Sequence, residues 1–378
     1  MPLLTAITTF SVVIWKCCGQ WCSEKYQNKA GKRQYMKQYQ EEFIQFFPTV
    51  LSILMNRRTS HPRVKIAYDH LEECVKYNVV GGKMTRGLMV VSTLSQLYGD
   101  GTLSDREKHL AFTLGWCIEI LQAASLVADD IVDESLMRRN KLCWYKQDHI
   151  RMTAVNDSFW LISSAYVLLN SEFRHHPCYI ELIELFHMIV EYTKFGEIVD
   201  IIFSQKNNDL SQFTEERLKS IVKYKTGYFS FYFPVAAAFC MAGIKDKAAD
   251  DGALSILLAI GEYYQYQDDF IDCYGDPKII GKVGTDIQGN KCTWLIVQAL
   301  KRASDEQRAI LEANYGRSDE GCVEKVKEVY ESLNLRHLYS EYEEQSYHTI
   351  SKLIDEHSHI LPAPIFLELR DRIYKREK

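Results

Sequence analysis

The sequence predicts an all-α protein. Apolar residues recur at helical spacing in one run after another from about residue 34, only 8 prolines interrupt 378 residues, and no Pro/Ser/Gly-rich linker divides the long runs. Length alone would permit two domains. The undivided runs instead predict a single helical domain over residues 34–378, preceded by a leader over residues 1–33. A 47% hydrophobic content supplies an ample core, and a net charge of −5 gives no reason to expect nucleic acid.

The leader holds an apolar run, residues 3 to 15, too short to span a bilayer, with no basic segment before it and no clear small-residue cleavage site. A secretory signal therefore fits poorly, no transmembrane segment is expected, and the cytoplasm is favoured over a mitochondrial address. The 11 cysteines are scattered without metal-ligand spacing, and Cys117, Cys240 and Cys292 sit in apolar helical contexts, which predicts free thiols in a reducing compartment. Cys17, Cys18 and Cys22 follow the apolar run, where S-acylation or an unstructured leader are the alternatives.

Along the domain, Tyr39 to Met55 carries Phe43, Phe46, Phe47 and Leu51 at helical spacing, and Pro48 should kink or split it. Arg63 to Tyr77 is a second amphipathic segment, which runs into Gly81-Gly82-Lys83-Met84-Thr85-Arg86. The glycines let the chain turn tightly, and Lys83 and Arg86 then fall i, i+3 at the opening of the next helix, where N–H groups and two cations make an anion site. Such a turn is also common as a merely solvated surface feature. Ser104 to Glu107 has the spacing of a capping box and starts the helix that carries Asp129, Asp130 and Asp133.

Those aspartates organise the chain, because the pattern returns as Asp268, Asp269 and Asp272. In each set the first and third acids are four residues apart and so share a helix face. Carboxylates in an apolar helix are costly unless positive charge meets them. Two such clusters facing each other call for hard divalent cations, with Mg²⁺ bridging carboxylates to a phosphate-bearing ligand. A single copy would more often be a solvated helix end; two copies in equivalent contexts are not. Arg138 and Arg139 just beyond the first set offer guanidinium forks suited to phosphate oxygens. Lys225-Thr226 lies in an aromatic helix, where a buried ammonium needs a partner and a phosphate would serve; Pro234 should kink or end that helix. Lys282, on a Gly-rich loop after the second cluster, is placed to close over it.

Together Ala128-Asp129-Asp130-Ile131-Val132-Asp133, the paired arginines, Cys143-Trp144-Tyr145, Lys223-Tyr224-Lys225-Thr226, Gln265-Tyr266-Gln267-Asp268-Asp269 and Gly284-Thr285-Asp286-Ile287-Gln288 resemble the farnesyl diphosphate synthases of animals, in order from roughly residue 38 to the last. The resemblance implies a helical bundle around a deep central cavity, a homodimer, and a prenyltransferase that condenses isopentenyl diphosphate head to tail with an allylic diphosphate. It implies that Asp129, Asp133 and Asp268 ligate three Mg²⁺ ions, supported by Asp130, Asp269 and Asp272. Arg138, Lys225 and Lys282 would hold the allylic diphosphate. Lys83, Arg86, Gln122, Arg139 and the terminal Arg376 would hold the second diphosphate, with Tyr264 where a Phe is usual. Independently of the resemblance, a diphosphate leaves an allylic carbon only if its charge is neutralised, and the cation must be kept from water. Thr226 and the neighbouring carbonyl would steady that cation, with Tyr228 and Phe229 lining the cavity.

The departures bear on product and role. Ala124 and Ser125 stand where Phe-Phe commonly forms the floor of the chain-length pocket, about one helical turn below the metal cluster. Smaller side chains there should deepen the pocket and allow products longer than farnesyl. Glu197 replaces a usual Gln, Asn140 and Gly289 replace Gly and Asp, and Gly227 replaces Ala. The alternatives are a terpene synthase that converts one prenyl diphosphate without a second substrate, and a non-catalytic subunit, against which both intact acidic clusters argue.

Overall fold

In the computed structural model, which describes residues 29–56, 62–99, 103–205, 209–276, 279 and 283–376, the chain is helical almost throughout. Residues 29–36 are described by backbone alone; the leader up to residue 28, with Cys17, Cys18 and Cys22, lies outside the described residues, as does Lys282. The expected split at Pro48 is present: α1 (Lys29–Gln45) ends before Phe46, and α2 (Phe47–Met55) takes the proline in its first turn, where its missing N–H costs nothing. Phe43 stacks on Trp116 at 4.7 Å, and the Trp116 indole N–H donates to the Phe43 carbonyl at 3.0 Å, docking α1 on the centre of the bundle.

After α3 (Lys65–Asn78) the chain turns through Gly81 and Gly82, both at positive φ, into α4 (Thr85–Tyr98). α5 (Asp105–Val132) starts on the expected capping box: Ser104 accepts from the Glu107 amide, and Glu107 accepts from the Ser104 amide. It is long and apolar enough to cross a membrane, yet most of that stretch is buried, packed between α4 and α6 (Thr153–Phe173). A two-stranded hairpin, β1 (Met137–Arg138) and β2 (Lys141–Leu142), follows α5. Its turn residues Arg139 and Asn140 both have positive φ, as a primed hairpin turn requires. Asn tolerates that conformation well, which accounts for Asn140 where a Gly is usual.

α7 (Tyr179–Ser204) and α8 (Glu215–Val222) lead into a π-helical segment, Lys223–Tyr232, and then α9 (Phe233–Met241). Pro234 does not end the helix: the chain stays helical from Glu215 to Met241, and the proline stands in the first turn of α9, just past the change from π to α winding. At that change the Phe233 N–H is bonded to the Tyr228 carbonyl. This segment is gripped from two sides. On α7, a Cβ at Gly196 would fall 2.8 Å from Lys225 Cα; on α10 (Lys247–Tyr274), a Cβ at Gly261 would fall 2.7 Å from Gly227 Cα.

The remaining helices, α11 (Trp294–Arg302), α12 (Asp305–Asn314), α13 (Glu320–Ser332), α14 (Leu335–His357) and α15 (Ala363–Ile373), complete the bundle. They build a second buried cluster around Trp294, Tyr315, Tyr330 and Tyr339, where Phe270 of α10 stacks on Tyr339 at 4.0 Å. The eight described cysteines are free thiols. The close approach at Gly196 yields a test: Gly196→Ala is expected to cost about 1–3 kcal/mol by overpacking, read as a lower Tm in thermal denaturation, and to displace Lys225.

Candidate active site

α5 and α10 each present their acidic cluster to a shared cavity of about 460 Å³. Asp129, at the end of α5, and Asp133, its C-cap, line one side; Asp268, Asp269 and Asp272 of α10 line the other. Lys83, Arg86, Arg138, Arg139, Lys225, Thr226, Tyr264 and Arg376 line the same space. A second compartment of about 180 Å³ shares Asp129, Lys225, Thr226, Tyr264 and Asp268 with the first and runs on to Gln122, Ser125, Thr193, Glu197 and Phe229.

Apart from Asp130, which lines neither compartment, every described residue that the sequence singled out for diphosphate or metal lines one or both of them, with four adjustments. Gln122 lines the second compartment, while Lys83 and Arg139 line the first and Arg86 both. Ser125 opens on the second compartment, whereas Ala124 is buried in the core and lines neither, so only one half of the altered floor faces the cavity. Tyr228 turns into an aromatic group with Tyr192, Tyr224 and Tyr232, leaving Phe229 on the wall. Arg376, expected at the second diphosphate, places its guanidinium on Asp268, on the Gln267 amide oxygen and over the Tyr264 ring.

Lys225 is likewise met by carboxylates. Its ammonium lies 2.7 Å from Asp200, 3.1 Å from Glu197 and 4.0 Å from Asp129. Burial alone would lower its pKa, but these three acids outweigh burial and hold it well above the usual lysine range. Burial raises the Glu197 pKa, with Lys225 opposing. Asp200 is likewise buried, yet Lys225 and Lys291 together hold its carboxyl below the usual range.

Three cavity residues were missed by sequence reasoning. Lys291, 3.0 Å from Asp133 and 3.5 Å from Asp200, sits in a loop with no periodic pattern to mark it. Asp200 stands at the end of a long apolar helix, and only its pairing gives it a role. Glu119 accepts from the Gly87 amide at 2.8 Å and lines the first compartment; a lone acid in the apolar middle of α5 was the available signal.

Arg138 donates to Asp130 through Nε at 2.9 Å and Nη2 at 2.5 Å, and lies 3.6 Å from Asp129. Asp130 is therefore held from behind while Asp129 faces the cavity. Arg139 donates to the Asn78 and Val80 carbonyls, fixing the turn that carries Lys83. Arg86 donates to Ser230 at 2.6 Å, and its buried Nε meets no hydrogen-bond acceptor among the described residues, leaving a donor for an anion. Thr226 donates to Gln265 at 2.7 Å. Asp269 accepts from the Trp294 amide at 2.8 Å and from Gln265 at 3.0 Å.

The donors fit a hard divalent cation: all are oxygens. Among the described residues eight carboxylates and seven cations line the first compartment, so a multiply charged phosphate group needs added positive charge. No group of three His, Cys, Asp or Glu side chains is gathered into a finished cage among the described residues. This suits Mg²⁺, which is usually held by one or two carboxylates plus substrate phosphates and water.

Burial pushes the Asp269 pKa up to about 7, against the Trp294 and Gln265 hydrogen bonds that favour its charged form. A carboxyl whose folded pKa is raised contributes stability at low pH that is lost as pH rises through the folded value. In metal-free protein, Asp269→Asn is therefore expected to flatten the pH dependence of stability between about pH 4 and 7 relative to wild type, as read by denaturant unfolding at stepped pH.

Residues 68–333 match the family model described as polyprenyl synthetase. The farnesyl pyrophosphate synthase of Gallus gallus is 49% identical over 339 residues, covering 89% of this chain and 92% of that protein. The Homo sapiens farnesyl pyrophosphate synthase is 42% identical over 381 residues, covering 98% and 91%. The solved structure of T. brucei farnesyl diphosphate synthase complexed with risedronate superposes with a TM-score of 0.83 at 31% identity, over 90% of this chain and all of that one. An all-helical bundle with two aspartate clusters across one cationic cavity, matched over most of its length in sequence and in fold, belongs to the polyprenyl synthetase family.

Proposed function

We propose that this prenyltransferase serves isoprenoid biosynthesis by condensing isopentenyl diphosphate with an allylic diphosphate such as dimethylallyl or geranyl diphosphate. The observation that carries this reading is the convergence of both aspartate clusters and two groups of cations on one cavity. Coupling is favoured over a terpene synthase because Lys83, Arg86 and Arg139, which serve a second diphosphate, line the same space as the metal-side residues.

Lys225, Lys291 and Arg138 hold the allylic diphosphate from the side opposite the chain, with Lys282 proposed to join them. Asp129, Asp133 and Asp268 would hold Mg²⁺, three ions by resemblance, which would supply positive charge for the departing diphosphate. Arg138 orients Asp130 and thereby the end of α5, and Asp269, hydrogen-bonded to Trp294, steadies α10. The Thr226 hydroxyl spends its proton on Gln265, so its oxygen lone pairs face the space where the allylic cation forms. Phe229 and Tyr264 wall that space from water. Arg86, over the Phe229 ring at 5.6 Å, keeps the second diphosphate beside it, and Arg376 ties the tail across the cavity mouth.

The product is farnesyl diphosphate or a longer chain, the small Ser125 opening the compartment into which the chain grows. A homodimer is supported by exposed apolar residues at helical spacing, Val155 and Phe159 on α6 and Phe195, Ile198 and Ile202 on α7. Sedimentation equilibrium is expected to give twice the chain mass, and a monomer at micromolar concentration would remove that part of the reading.

Purified protein given isopentenyl and geranyl diphosphates with Mg²⁺ is expected to form farnesyl or longer diphosphates, sized by chromatography. Hydrocarbon formed from farnesyl diphosphate alone would reverse the reading. Asp129→Ala and Asp268→Ala are each expected to lower kcat/KM by roughly a thousandfold, equivalent to about 4 kcal/mol of lost transition-state stabilisation.

A further inference from the structure

Two lysines and two carboxylates form a closed group where the two compartments meet. Lys225 lies 2.7 Å from Asp200 and 3.1 Å from Glu197, and Lys291 lies 3.5 Å from the same Asp200 oxygen. Their other contacts are with Asp129, 4.0 Å from Lys225, and Asp133, 3.0 Å from Lys291, the carboxylates assigned above to metal. Once those two serve metal, two ammonium groups face two carboxylates and their charges cancel. Glu197 makes the count even; with Asp200 alone one positive charge would remain for the diphosphate.

The geometry holds this group tightly. Glu197 and Asp200 lie one turn apart on α7, and Gly196, beside Glu197, presses against the backbone of Lys225, which fixes that backbone against the turn carrying both carboxylates. The side chains of Lys225 and Glu197 are only 27% and 19% exposed, and charges so placed are weakly screened. A neutral Gln at this position would keep a hydrogen-bond acceptor and remove the charge.

We propose that Glu197 is a positioning residue that sets the affinity of the site for the diphosphate group. By compensating Lys225 it weakens the ground-state hold on the allylic diphosphate and eases departure of the inorganic diphosphate released. The inference rests on Lys225 being a diphosphate-binding cation, as read above. Stronger binding of substrate and transition state alike lowers KM without raising kcat, which separates this role from a structural one.

The test is calorimetric binding of inorganic diphosphate in the presence of Mg²⁺, with steady-state kinetics, on full-length wild type, Glu197→Gln and Glu197→Asp of matched Tm. Glu197→Gln is expected to bind inorganic diphosphate about tenfold more tightly. Its KM for the allylic diphosphate should fall by a similar factor, with kcat level or lower and KM for isopentenyl diphosphate unchanged. Glu197→Asp, which keeps the charge, should return affinity to within a few fold of wild type. Equal or weaker binding by Glu197→Gln overturns the inference while leaving the proposed function intact. Failure of wild type to bind inorganic diphosphate at all would overturn the reading of the site itself.

Discussion

An ammonium group inside a helical bundle must be met by negative charge, and the meeting of Lys225 with Asp200, Glu197 and Asp129 is the contact on which the cavity depends. It joins three elements that are distant in sequence: the end of α5, the last turns of α7 and the π-helical segment. Lys291 extends the chain of charges to Asp133, and Arg138 extends it to Asp130. The first acidic cluster is thus tied to its neighbours by lysines and an arginine that a phosphate can recruit, rather than by apolar packing that a ligand would have to break.

The backbone makes this arrangement available by departing from regular helix at the point of use. The π winding over Lys223–Tyr232 ends just before Pro234 and is seated by glycines on both neighbouring helices, Gly196 on α7 and Gly261 on α10. Such winding is rare and often marks functional positions; here it carries Lys225, Thr226 and Phe229 on one short stretch. A second irregularity, the hairpin turn at Arg139 and Asn140, sets a guanidinium against the Asn78 and Val80 carbonyls and so ties the Lys83 turn to the end of α5. Both devices place cations on backbone that has little freedom to move, which suits a site that must grip phosphate groups without reorganising.

Much of this was legible in the residues. The capping box at Ser104, the split at Pro48 and the i, i+4 aspartates follow from local rules, because each involves groups within one or two turns. The carboxylates beside Lys225 were not legible: a buried ammonium demands an anion, but that Glu197 and Asp200 meet it is decided by how α7 lies on the π segment. Ala124 and Ser125 show the same limit within two adjacent residues. Side chains on neighbouring helix positions point about a quarter turn apart, so one fell into the core and the other into the cavity.

From the sequence by itself came the helical class and the pairing of two aspartate triads with basic motifs, since periodicity and spacing are properties of the chain taken locally. Which cations meet which acids was decided only in three dimensions. Lys291 reaches Asp133 across 158 positions, and Arg376 reaches Asp268 across 108. Coulombic partners in a low-dielectric interior are chosen by distances of a few ångströms, and those distances are set by helix packing.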